Sequence, residues 1–132
     1  MPVITRWHPD VPNVIWIRVI GAWTRTELYQ ARERVKELAA SAARDIYTIT
    51  DFSEMGPWPE NLLFTHIASM LKDPPKNRIL ALVVAKQDFL NRGRDFIERL
   101  QDNALDSVKN VKSIEEALDI IREHQSQHSP TD

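Results

Sequence analysis

The chain contains no cysteine. That excludes a disulfide framework, thiolate metal ligands and a thiol nucleophile, and it suits a reducing compartment. Glycine is scarce, with three residues in 132. Neither GxGxxG nor GxxxxGK[ST] occurs, so a Gly-rich phosphate cradle has no sequence support. A G-x-S-x-G nucleophile elbow is also absent. The longest apolar run, Ile79 to Ala85, is far too short to cross a bilayer, and Met1 to Pro9 has no apolar stretch of signal-peptide length. A cytoplasmic location without a membrane span is the expectation. No block of one charge sign stands out. The 17 basic and 19 acidic residues are interspersed, so no concentrated basic face for nucleic acid is expected.

What is present suits one α/β domain. A chain of this length hides roughly two thirds of its unfolded surface on folding, enough for a core without staples. Val3 to His8 alternates loosely and predicts a short edge strand. Pro9 to Asn13 predicts a turn, because proline fixes φ and Asp and Asn tolerate turn geometry. Val14 to Ile20 is rich in β-branched residues and predicts a strand, hence an antiparallel hairpin. Thr24 with Glu27 three places on is a capping box, and Leu28, Ala31, Val35, Leu38, Ala39 and Ala42 then recur at helical spacing. Asp45 to Phe52 predicts the next strand. The prolines at 57 and 59 suit a helix start, and that helix ends before Pro74-Pro75.

Ile79 to Ala85 predicts a central parallel strand covered on both faces. Phe89 to Leu100 predicts a helix and Ser107 to Val111 a short strand. Ser113 and Glu116 form a second capping box before a last helix. The expected fold is a mostly parallel β-sheet with an antiparallel N-terminal edge strand, in the order β-β-α-β-α-β-α-β-α. The domain is expected to span 1–123, with 124–132 a disordered tail because it lacks apolar residues.

Residues with chemistry are few. His8, His66, His124 and His128 are scattered, and no set of about four ligands suits zinc, so neither metal nor cofactor is expected. Ser53 follows a strand and is the nearest candidate nucleophile, but serine there also commonly bonds local backbone. Asp51 and Glu54 form a conceivable acid/base pair at a strand end, where turn capping explains a carboxylate equally well. An enzyme using Asp51, Ser53 and Lys86 would need those side chains within hydrogen-bond reach of one another. The local readings are favoured, and no catalytic residues are assigned.

The element order, with its leading hairpin, resembles the STAS-like domains (sulfate transporter and anti-sigma factor antagonist) from about Val3 to Glu123. Asp51-Phe52-Ser53 looks like that family's Asp-hydrophobic-Ser at the end of the middle strand. Val111 to Leu118 is similar to its closing strand, cap and helix. The resemblance implies a non-catalytic regulatory domain acting through protein–protein interaction. The stretch Met55 to Asn61 lacks the serine that the family's antagonists phosphorylate, so that switch is not expected. A looser kinship to CRAL-TRIO-type binders implies the alternative, a carrier of a small apolar or anionic, lipid-like ligand.

Binding is expected along one rim. Trp23, Met55, Trp58 and Phe89 each follow a strand, at the carboxyl ends where open α/β sheets receive ligands. Asp51 and Ser53 share that edge, with Lys86 and Arg92 placed to meet an anionic group. The occupant is a protein partner or a second copy in a homodimer, or else a ligand lying against the Pro59–Leu71 helix.

Overall fold

The computed structural model describes residues 3–56, 74–85 and 107–128. Seven elements lie within them. They are β1 (Val3–Trp7), β2 (Val14–Gly21), α1 (Arg25–Ser41), β3 (Ile46–Met55), β4 (Arg78–Val84), β5 (Val108–Val111) and α2 (Ile114–His128). The strands form one sheet in the order β1-β2-β3-β4-β5. The first pair is antiparallel and the rest are parallel. The expected mixed sheet with an antiparallel N-terminal edge is therefore what forms. The helices expected over Pro59–Leu71 and Phe89–Leu100 lie outside the described residues.

The hairpin turns as its residues dictate. Asn13 takes a positive φ of 64°, the left-handed conformation that asparagine adopts more readily than most residues. His8 closes the same turn. Its Nδ1 accepts the backbone N–H groups of Asp10 at 3.1 Å and Val11 at 3.2 Å. Val11 is thereby fixed in the core, 3 % exposed.

Both acceptor bonds require an unprotonated Nδ1, and the surroundings agree. Burial lowers the His8 pKa, and the charges of Arg122 and Arg6 add to the effect against an opposing contribution from Asp10. A folded-state pKa below the unfolded value of about 6.5 means the neutral ring is favoured by folding. The resulting stability is complete above about pH 6.5 and is lost as pH falls through the folded pKa. Melting temperature should therefore drop between about pH 7.5 and about pH 5. His8→Asn, whose side-chain oxygen makes the same kind of turn bond without titrating, should remove this part of the drop. An unchanged pH profile in His8→Asn would refute the assignment.

Among the described residues, one helix packs on each face of the sheet. The capping box of α1 forms as the sequence predicts. Glu27 N–H donates to Thr24 Oγ1 at 3.2 Å, and Thr24 N–H donates to Glu27 Oε1 at 3.0 Å. Ala31, Val35 and Ala39 then pack on Ile15, Ile17 and Ile46. On the other face Ala117 and Ile121 of α2 pack on Tyr47, Ile49, Leu80, Leu82 and Val84. Burying each valine, leucine or isoleucine side chain here contributes about 1.5–3 kcal/mol. At the start of α2, Glu116 N–H donates to Ser113 Oγ at 3.1 Å. The Glu116 carboxylate takes the N–H of Lys112, at 3.0 Å.

The helix does not stop where the polar tail was expected to begin. It runs through His124 to His128. Two long-range bonds substitute for the missing apolar side chains. Tyr47 Oη and His124 Nδ1 lie 2.6 Å apart, and Gln125 Nε2 donates to the Pro12 carbonyl at 2.9 Å. Burial raises the Tyr47 pKa, with Asp45 adding to the shift, so its phenol stays protonated as a hydrogen-bonding group.

Candidate functional site

The functional geometry centres on the carboxyl ends of β2 and β3, and a bulge creates it. Arg18 pairs with Asp51, but the next pairing is Ile20 with Glu54. Two steps along β2 thus match three along β3, so one extra residue enters β3 between Asp51 and Glu54. Side chains alternate between faces along a strand. In a regular strand Asp51 and Glu54 would point to opposite faces. The inserted residue puts Glu54 on the face that Arg18 and Asp51 share. There Arg18 Nη2 reaches both Glu54 oxygens, at 3.2 and 3.1 Å. Phe52 turns to the α1 face and meets the Trp23 ring, centroids 6.0 Å apart.

Asp51 stabilises the bulge. It is 5 % exposed. Its Oδ1 accepts the Ser53 backbone N–H at 2.9 Å and the Ser53 hydroxyl at 2.6 Å. Its Oδ2 accepts the indole N–H of Trp16 at 3.2 Å. A buried carboxylate needs such donors, because leaving it unpaired costs several kcal/mol. Ser53 itself is exposed.

Trp16 is half-buried on β2 and gathers cations. The Arg18 guanidinium lies 5.0 Å from its ring centroid, and that of Arg6 lies 5.8 Å away. The His8 ring is 5.1 Å away and tilted 39°. The hairpin register explains the arrangement, because Arg6 stands directly opposite Trp16. Arg18 is two residues along the same face. The Arg18 Nε is buried with no hydrogen-bond partner among the described residues, consistent with a guanidinium held flat against the indole.

Four of the residues expected along the rim are described, and they do not form one surface. Trp23 is not an exposed docking aromatic. It is 5 % exposed, in the core with Val19 and Leu28. The capped start of α1 folds back over the end of β2 and lays Leu28 on it. Met55 is half-buried against the same cluster and belongs to the α1 side. Asp51 and Ser53 do come together. Trp58, Lys86, Phe89 and Arg92 lie outside the described residues.

Chemically, the arrangement does two things. Asp51 and Ser53 are within hydrogen-bond reach, as acid/base or nucleophilic chemistry requires. The same bonds satisfy the extra N–H that the bulge exposes, which is the local reading of both residues. The second capacity is recognition, through an indole fixed at its N–H by a buried acid and flanked by two guanidiniums. Among the described residues no group of three or more His, Asp or Glu is placed to hold a metal ion. No helix among them is long and apolar enough to cross a membrane.

Sequence reasoning missed Arg6, Trp16 and Arg18. The signal available was the pair Trp16 and Arg18 at i, i+2 on one face of a strand otherwise read as core, with Arg6 carried opposite by the hairpin. No family model matches this chain, and no curated protein matches it in sequence.

Proposed function

We propose that the chain is a non-catalytic, STAS-like regulatory domain that works by protein–protein docking through the face carrying Arg6, Trp16 and Arg18. The fixed, half-exposed Trp16 carries this reading. Tryptophan and arginine dominate binding energy at interfaces, because they combine large apolar area with directed polar contacts. Asp51 holds the indole in place beforehand, which lowers the ordering cost of association. The mixed sheet led by a hairpin, and the Asp51-Phe52-Ser53 bulge at the end of its middle strand, support the STAS-like assignment.

The face bears both charge signs, with Arg6 and Arg18 against Glu54. Such a patch is suited to a second copy of itself about a two-fold axis, so the first partner to test is this chain. Sedimentation velocity over a micromolar-to-millimolar series should show reversible dimers. Trp16→Ala and Arg6→Glu should both shift the protein to monomer, and because Arg6 is exposed an unchanged melting temperature will separate lost docking from lost folding. A parent protein that stays monomeric throughout, or variants that dimerise as tightly as the parent, would contradict self-docking.

A further inference from the structure

A cleft of about 600 Å3 lies at the opposite end of the strands from Asp51 and Ser53. The carboxyl end of α1, the segment entering β3 and the segment entering β4 line this open cleft. Its apolar wall is made of small or rigid residues, Ala39, Ala40, Ala42, Ala43, Pro74 and Pro75. Alanines leave the space open that larger side chains would fill. The volume falls within the range of small-molecule sites.

Three cations, Lys36, Arg44 and Lys76, line the same cleft, against one carboxylate, Asp45. Basic residues beside a helix carboxyl terminus ordinarily serve its unpaired carbonyls and its dipole. Here two of the last four helix carbonyls, Leu38 and Ala39, already have donors, and none of those donors is a cation. Asn77 Nδ2 donates to the Ala39 carbonyl at 3.0 Å and to that of Arg44 at 3.1 Å. Ala42 N–H also donates to Ala39, and Ser41 Oγ donates to Leu38. Among the described residues Lys36 has only a loose contact with Glu33, at 3.9 Å. Arg44 and Lys76 are exposed and make no ion pair among the described residues. Neither the Arg44 nor the Lys76 side chain bonds a helix carbonyl among the described residues. The Asn77 bonds also tie the Pro74–Asn77 wall to α1, so the cleft is preformed.

We infer that this cleft binds a small amphiphilic anion, with an apolar body on the Ala/Pro wall and a carboxylate or phosphate head between Arg44 and Lys76. The inference is independent of the docking face.

Isothermal titration of the full chain tests it, with each probe below its micelle concentration. Dodecanoate and dodecyl phosphate distinguish the two heads, inorganic phosphate is the head alone, and dodecyltrimethylammonium is a cationic control. At least one anionic amphiphile should bind, more tightly than inorganic phosphate, and the cationic probe should not. Arg44→Glu combined with Lys76→Glu should weaken binding about tenfold or more. Ala43→Trp should weaken it by filling the wall. All three positions are exposed, and an unchanged melting temperature will show that the variants fold. Absence of anionic binding would overturn the inference. So would equal binding of the cationic probe or of inorganic phosphate, or parental affinity in both variants.

Discussion

Asp51→Ala is expected to lower the free energy of unfolding by about 3–4 kcal/mol. The substitution leaves two donors without their acceptor inside the fold, the indole N–H of Trp16 and the backbone N–H of Ser53. A fully buried donor left without its acceptor costs about 1–3 kcal/mol, and these two part-buried donors fall in the lower part of that range. The Ser53 hydroxyl adds little, because Ser53 is exposed and can turn to water. Asp51→Asn separates the contributions. Its oxygen can still accept from Ser53, but its amide NH2 then faces the indole donor, so a cost of about 1–2 kcal/mol is expected. Urea denaturation of the three proteins gives the ranking. An Asp51→Ala variant within about 1 kcal/mol of the parent would show that the bulge is held by something else.

Gly56→Ala should be the next most damaging, at about 2–3 kcal/mol. A Cβ on Gly56 would lie 2.8 Å from the carbonyl carbon of Gly21 and 3.0 Å from its oxygen. Both are backbone atoms and cannot swing away. They are held close because Gly56 N–H donates to the Gly21 carbonyl at 2.7 Å, extending the β2–β3 pairing past the bulge. Gly21 has the less ordinary conformation, with φ of 65°, but a Cβ there meets nothing within 4 Å. Gly21→Ala should therefore cost only the left-handed penalty, about 1–2 kcal/mol. Thermal melts that reverse this order would mean the β2 and β3 backbones separate more easily than the geometry implies.

The features legible in the sequence are those that depend on neighbours along the chain. The Thr24–Glu27 cap, the Asn13 turn and the apolar run into Ala85 each announce a local conformation, and each forms as expected. The bulge was not legible, because it is a mismatch between two strands and neither strand carries its signature alone. For the same reason the strand is expected to end at Phe52, whereas β3 continues through Met55. Trp23 looked exposed because it follows a strand, whereas its burial depends on how the capped helix folds back. Nothing in the apolar run Val14 to Ile20 marks Trp16 as half-buried beside two guanidiniums. Its partner Arg6 becomes visible only when the hairpin register is known. The stretch from His124 to His128 looks unstructured by composition, but polar bonds to Tyr47 and Pro12 hold it on the fold.

The central claim is that Asp51 fixes Trp16 as a preformed recognition surface. The indole N–H of Trp16, followed by NMR hydrogen exchange, tests this most directly. The account predicts strong protection in the parent chain and fast, solvent-like exchange in a folded Asp51→Asn variant. Solvent-like exchange already in the parent chain would contradict it.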